Sequence, residues 1–492
     1  MSLQRADARF LLPEMPRTAT ILGDLPEWAQ GLRLAGVDVA DHAVAEPPNL
    51  AVAPARLAGA AVDTRAPMVV LEGTGARRTL LDAGYRVRRF LPMPSLDEPE
   101  VLLPLEQPAA ARYALEQWRA PTTMSARART RMARVLLDRG LMPESRPLTT
   151  IGLLRPGPPF LLAAVGRLGV AGDGGWFLTP GRSDVLSRNA FHVFPTPVAT
   201  QPAWTVKFSR IPGRPEAFDR DQGGLELARL AGERVASHAP RLLGRLEMDG
   251  LHASVETAAV GQRLSSLLRG PQSRASKLRV IEAVASWLVD LARVTAAPPP
   301  ALDPERRRLR AQVMPHWTGV DPCLIDRLPP LAAVLAHNDL HAWNLIVDHR
   351  REFTAVDWES ARQHNLPLWD LLYFLVDALV LLDGVTTAKR RAHHALRLLR
   401  GELATSGLLF DWTDRAAATT RIPIEAVGPI ATACWLHHGI SHVSRWSATK
   451  QAGYDGPAEL PPVERIGSPW LADPALGPSW RSWLDWRRGR ER

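Results

Sequence analysis

Between Val334 and Glu359 the chain reads Val334-Leu-Ala-His337-Asn-Asp339-Leu-His341-Ala-Trp-Asn344-Leu-Ile-Val347-Asp348, a short turn, then Phe353-Thr-Ala-Val-Asp357-Trp-Glu359. This stretch sets three carboxylate or carboxamide groups, Asp339, Asn344 and Asp357, on the ends of short apolar segments. Leu345-Ile-Val347 and Phe353-Thr-Ala-Val356 predict a β-hairpin through Asp348-His-Arg-Arg-Glu352, and Leu366-Pro-Leu-Trp-Asp370-Leu-Leu opens a strongly apolar helix. A magnesium ion takes a few hard oxygen ligands and leaves the rest of its shell to phosphate and water. Asn344 and Asp357 suit that role. Asp339, five residues before Asn344, is then free to accept the proton of a substrate hydroxyl.

The pattern His337-x-Asp339-x4-Asn344 followed by Asp357 resembles the Brenner motif of the aminoglycoside phosphotransferase and choline kinase family, which is similar to the HRDxxxxN and DFG elements of protein kinases. The resemblance covers about residues 160–450. It implies an α+β fold, a bilobal protein-kinase-like domain with a small β-rich N-lobe and a helical C-lobe, preceded here by a small α/β domain. It also implies ATP- and Mg²⁺-dependent phosphotransfer to a hydroxyl of a small molecule, with Asp339 catalytic, Asn344 and Asp357 on the metal, and His337 and Asp370 bracing the loop. The resulting division is an accessory α/β domain over 1–145, the N-lobe with its connector over 146–261, the C-lobe over 262–450, and an irregular tail rich in Trp, Pro and Arg over 451–492.

Lys207, within Trp204-Thr-Val-Lys207-Phe208, stands out because only four of the 60 cationic side chains are lysines, the others being Lys277, Lys389 and Lys450. A sequence that uses arginine almost everywhere needs a reason for a lysine in mid-strand. A compact ammonium fits between α- and β-phosphate oxygens where a guanidinium fork does not. Glu226, on a helix predicted over Leu225–Ser237 after an irregular stretch ending at Gly223-Gly224, is the expected partner of Lys207, with Glu233 as the competitor. Gly181–Asn189 stands where the family has its phosphate-covering loop but is poor in glycine; Ser183 and Ser187 to Asn189 are left to offer backbone N–H groups to phosphate. Leu251–Gly261 resembles the hinge between kinase lobes, with backbone groups around Glu256 to Ala258 facing adenine.

At 492 residues, two or three domains are expected. Hydrophobic residues at 46% and charged residues at 23% describe an ordinary globular protein. The net charge of +9 is spread along the chain rather than clustered, apart from Arg306–Arg308 and the tail, which argues against nucleic acid as a partner. Cys323 and Cys434 are too few for a disulfide framework, and the N-terminus lacks the apolar core of a signal peptide, so a cytoplasmic location is expected. The longest apolar run, Leu371–Leu382, contains Asp377 and is too short to span a bilayer, so no membrane partner is expected.

Upstream, Thr18–Gly23, Asn49–Ala53 and Met68–Leu71 are predicted strands alternating with helices over Leu25–Ala35 and Ala76–Ala83, an α/β layer with parallel pairing. Gly73-Thr-Gly75 reads as a turn. His393-His394, His437-His438 and His442 read as core or helix-surface residues rather than metal ligands, and Trp470, Trp480, Trp483 and Trp486 are expected to dock the tail. A rival from another class is a nucleotide-binding pseudokinase serving as an interaction module, favoured by the glycine-poor loop.

Overall fold

The structure, a computed structural model, describes residues 3–40, 46–141, 146–170, 174–181, 184–451 and 464–491, with side chains omitted at 388, 441–451 and 464–465. Ser183, the side chain of His442 and residues 452–463 of the tail lie outside that set. The fold is mixed α+β, and it divides into two compact units: Met1–Phe218 with Arg241–Val260 and Thr449–Pro457, and Asp219–Pro240 with Gly261–Ala448 and Ala458–Arg492.

The first unit is built on one sheet of twelve strands. In chain order these are β1 (Thr18–Ile21), β2 (Asp38–Ala40), β3 (Leu50–Pro54), β4 (Met68–Gly73), β5 (Arg86–Pro94), β6 (Pro99–Pro104), β7 (Leu148–Leu153), β8 (Trp176–Thr179), β9 (Asn189–Val193), β10 (Trp204–Phe208), β11 (Leu242–Met248) and β12 (Leu251–Thr257). Across the sheet they run β11-β12-β10-β9-β8-β6-β5-β7-β4-β3-β1-β2. The segment β2-β1-β3-β4 is parallel, as the alternation of strands and helices predicts; every other pairing is antiparallel. The apolar run Leu50-Ala-Val-Ala is buried throughout, as befits a parallel strand covered on both faces. Its helices are α1 (Pro26–Leu34), α2 (Ala58–Asp63), α3 (Arg77–Asp82), α4 (Pro108–Tyr113), α5 (Met124–Asp138) and α6 (Phe160–Val165).

A separate domain over 1–145 is not what forms. β7, from beyond that expected boundary, inserts between β4 and β5, and β6 meets β8 at Leu102 and Leu178. Unpaired strand edges demand partners, and here each half supplies the other's. One core accordingly mixes Phe10, Trp28 and Phe90 with Trp176, Phe191, Phe208 and Leu251.

The second unit is largely helical. α7 (Glu216–Leu230), α8 (Glu233–Ala236), α9 (Leu264–Arg269), α10 (Arg274–Val294), α11 (Asp303–Gln312), α12 (Trp369–Leu382), α13 (Ala388–Leu399), α14 (Ser406–Thr419), α15 (Ile424–Gln451), α16 (Glu464–Ala472) and α17 (Arg481–Arg490) follow in order. Between α11 and α12 lie β14 (Val334–Ala336), β15 (Leu345–Val347), β16 (Phe353–Ala355) and β17 (Arg362–Asn365), with β13 (Gln262–Arg263) ahead of α9. The predicted hairpin is β15-β16, extended by β13, and β14 pairs with β17. α10 buries Val280, Val284, Trp287, Leu288 and Leu291, the stripe its periodicity marks.

Two expectations are overturned here. The tail is not wholly irregular: α16 and α17 form, and Trp470, Trp480 and Trp483 are fully buried. Arg400 binds Asp473 and Arg487 binds Asp414, so docking supplies the stability that local sequence lacks. Gly223-Gly224 does not end an irregular stretch but lies inside α7, which starts at Glu216. A Cβ on Gly224 would come within 2.1 Å of the Trp358 carbonyl oxygen, so the glycine is a packing notch rather than a breaker. Of the histidines, His437 is stacked on Trp369, His438 on Tyr373, and His394 is bonded to Asp383.

Candidate functional site

In the second unit, β14 ends at Ala336 and delivers His337-Asn338-Asp339 into a loop whose backbone is fastened by α12. The buried Asp370 carboxylate accepts the N–H of His337 at 2.5 Å and of Asn338 at 2.8 Å. Burial pushes the Asp370 carboxyl up to about 6, against the pull of those two donors. Asn338 takes a left-handed φ of 62°, which asparagine tolerates better than most residues, and its Nδ2 donates to the Ser360 carbonyl. Two turns further along α12, Asp377 accepts the N–H of Ala342 at 2.9 Å and pairs with Arg391.

That frame aims three oxygen-bearing side chains. Asn344 Nδ2 donates to Asp339 Oδ2 at 3.1 Å and to the Asp339 carbonyl at 2.9 Å, bonds that do not use the hard oxygen Asn344 Oδ1. The Asn344 carbonyl accepts the N–H of Val356 at 2.9 Å, so the residue before Asp357 is tied to Asn344 by backbone. Asp357 itself sits at φ 70°, ψ 61°, a turn that β-strand continuation would not allow. His337 is wholly buried; desolvation lowers its pKa, the carboxylates of Asp339 and Asp357 oppose that, and it is neutral at pH 7. It donates Nε2–H to the Val356 carbonyl at 3.1 Å and packs on Trp358, so it braces both loops.

His341 is a member of this group that the sequence reading left without a role. Its Nδ1 accepts the N–H of Trp343 at 3.1 Å, which fixes the proton on Nε2, and Nε2 faces Asp339 Oδ1 at 3.6 Å. Both oxygens of Asp339 thus face N–H donors, while about a third of its side chain stays exposed. The signal available in sequence was the position, two residues after Asp339. Arg263 and Arg269 stack on Trp343 of the same loop, their guanidinium carbons 5.6 and 5.1 Å from the ring centre.

In the first unit, Lys207 lies mid-strand on β10, opposite Ala190 of β9 and Ser254 of β12. Its Nζ is 2.9 Å from Glu256 Oε1, and both side chains are largely buried. The carboxylate at Lys207 is therefore Glu256, reached across the β10-β12 ladder, and this corrects the expected pairing with Glu226. Glu226 is half exposed and binds Arg229 one turn along α7, and Glu233 opens α8.

The hinge expectation is corrected as well: Glu256 is a strand residue, the Thr257 N–H donates to Arg241, and the Ala258 N–H donates to the Ala203 carbonyl at 2.9 Å. The loop before β9 is closed by its own side chains. Asn189 Oδ1 accepts the Gly181 N–H at 2.7 Å, Ser187 Oγ donates to Asp184, and the Ser187 N–H donates to the Asp184 carbonyl. Ser187 thus spends both its hydroxyl and its N–H within the loop, and Asn189 spends its Oδ1 on the Gly181 N–H.

No family model matches the chain, and no curated protein sequence does. Among solved structures it is similar to choline kinase LicA from Streptococcus pneumoniae, at 13% identity over 61% of this chain and 89% of that one, with a TM-score of 0.31. It is also similar to WbdD in complex with the kinase inhibitor LY294002, at 13% identity over 85% of this chain and 87% of that one (TM-score 0.25), and to monomeric WbdD, at 13% over 76% and 82% (TM-score 0.23). Likenesses this distant assign neither family nor substrate.

Proposed function

We propose that this chain is a kinase-like phosphotransferase that moves the γ-phosphoryl group of ATP, with Mg²⁺, onto a hydroxyl of a small molecule. The observation that carries the reading is the tie among Asp339, Asn344 and the residue before Asp357: one amide orients the base, and one backbone bond fastens Val356, next to Asp357, to Asn344. The donor set fits magnesium, since Asn344 Oδ1 and the Asp357 carboxylate are hard oxygens. Bound Mg·ATP supplies the transferable group and neutralises charge as the bond to the leaving phosphate breaks.

Asp339, held by Asn344 and faced by His341, receives the acceptor hydroxyl so that its oxygen is aligned on phosphorus, and takes the proton as the new P–O bond forms. Most of the rate comes from this positioning. Lys207, braced by Glu256, is assigned to the α- and β-phosphates. The acceptor is read as neutral or anionic. Asp370 and Asp377 are engaged by backbone N–H groups, and Asp383 by Arg274, His394 and Thr405, whereas Arg263 and Arg269 flank the catalytic loop at Trp343.

The test is phosphate transfer from labelled Mg·ATP to a fractionated pool of hydroxylated metabolites, with Asp339→Asn beside the wild type. Turnover should fall by a factor on the order of 10² to 10⁴ with nucleotide binding nearly intact. The self-closed loop at Gly181–Asn189 favours the second reading, a nucleotide-binding interaction module; nucleotide binding without transfer to any fraction selects it.

A further inference from the structure

Helix α5 carries two apolar faces. The inner one is ordinary: Leu137 is buried, and Ala133 and Leu136 pack on the cluster that contains Tyr113 and Phe177. The outer one is not. At 100° per residue Met124, Ala128, Met132 and Val135 fall in one stripe about 80° wide. Met124 is 74% exposed, Met132 62% and Val135 36%, and Leu141 just past the helix is 60% exposed. A surface helix that has already buried its core-facing side normally turns polar residues to water.

Arginines border this stripe. Arg127 and Arg131 lie along one edge, Arg129 along the other and Arg139 at the C-terminal end, all exposed, and among the described residues none of the four has an acidic partner. Among the described residues, Asp138 is occupied by Arg112 at 2.6 Å and Glu116 by Arg134 at 3.1 Å. The face is therefore cationic and apolar together. Duplex DNA or RNA would satisfy the guanidinium groups but leave the methionines in water. An apolar protein patch would cover the methionines and leave the guanidinium groups unmatched. An anionic bilayer surface meets both needs, with thioether and aliphatic groups entering the acyl boundary while arginine stems snorkel to lipid phosphates.

We propose that α5 is a peripheral membrane-binding element that docks this chain on anionic phospholipid surfaces. No helix among the described residues is long and apolar enough to cross a membrane, and a helix lying in the interface needs neither property. The inference departs from the sequence-based expectation of no membrane partner, which rested on spanning length alone, and it is independent of the phosphotransfer reading.

Co-sedimentation of the full chain with phosphatidylcholine vesicles, with and without phosphatidylglycerol and at low and high salt, tests it. Binding should require phosphatidylglycerol and weaken with salt. The variant Arg127→Gln/Arg129→Gln/Arg131→Gln should lose about fivefold in partitioning per arginine, on the order of a hundredfold in all. Met124→Ser/Met132→Ser should lose several-fold at unchanged charge. Both sets lie on an exposed face, so thermal melts should match the wild type. Equal binding to both vesicle types, or unchanged binding by either variant, overturns the proposal. So does failure to bind vesicles with tight binding to duplex DNA that the methionine variant retains, which would identify the face as a nucleic-acid surface.

Discussion

Replacing Asp370 by asparagine should change the pH dependence of stability in a direction the structure fixes. The carboxylate is fully buried and titrates at about 6 against an ordinary 3.8. A folded-state pKa above the unfolded one means that folding favours the proton. The stabilising contribution is complete below about pH 4 and is lost as pH rises to 6. At about 1.4 kcal/mol per unit, that loss is about 3 kcal/mol. Asparagine does not titrate. Its carbonyl oxygen can keep one of the two N–H groups of His337 and Asn338, and its NH₂ then confronts the other, a cost of about 1–3 kcal/mol.

The variant should therefore be clearly less stable than the wild type near pH 4.5 and should close that gap by pH 7. Roughly two-thirds of that loss, about 2 kcal/mol, falls between pH 4.5 and 7, so at about 2–4 °C per kcal/mol the difference in melting temperature shifts by about 4–8 °C over the range. Thermal melts of both proteins in matched buffers measure it. A difference that stays constant from pH 4.5 to 7.5 refutes the argument, because it means that Asp370 does not change protonation there. Turnover at pH 7.5 should drop by a factor on the order of 10², since the same two N–H groups set the backbone that aims Asp339.

Asp357→Ala should weaken binding of Mg·ATP far more than binding of metal-free ADP, as loss of a metal ligand requires; titrations showing equal losses with and without magnesium count against the assignment. Asn344→Leu, similar in volume, removes both the amide that holds Asp339 Oδ2 and the metal-type oxygen, so kcat should fall while KM for Mg·ATP rises; an effect on kcat alone would leave Asn344 as a positioning residue only. Lys207→Arg should be nearly as damaging as Lys207→Ala, because a larger planar head must fit the buried place beside Glu256; an arginine variant with most of the wild-type rate, at unchanged melting temperature, would move the phosphate contact elsewhere.

What the sequence determined by itself is what depends on near neighbours. Asp339 and Asn344 are five residues apart on one loop, and the β15-β16 hairpin that presents Asn344 and leads to Asp357 is closed by a short turn, so spacing and alternation already fix their relation. The parallel order of β1, β3 and β4 was equally legible in the rhythm of strand and helix. Tertiary structure alone decided the partner of Lys207, because a strand register, not helical spacing, brings Glu256 to its Nζ across 49 residues of chain. It also decided that Gly224 is a notch for the carbonyl of Trp358, that β7 crosses the expected domain boundary into the sheet, and that the tail forms helices around Trp470 and Trp480. Each of these turns on steric fit, edge pairing or burial between segments far apart in sequence, and such energies have no expression in the order of residues until the chain has folded.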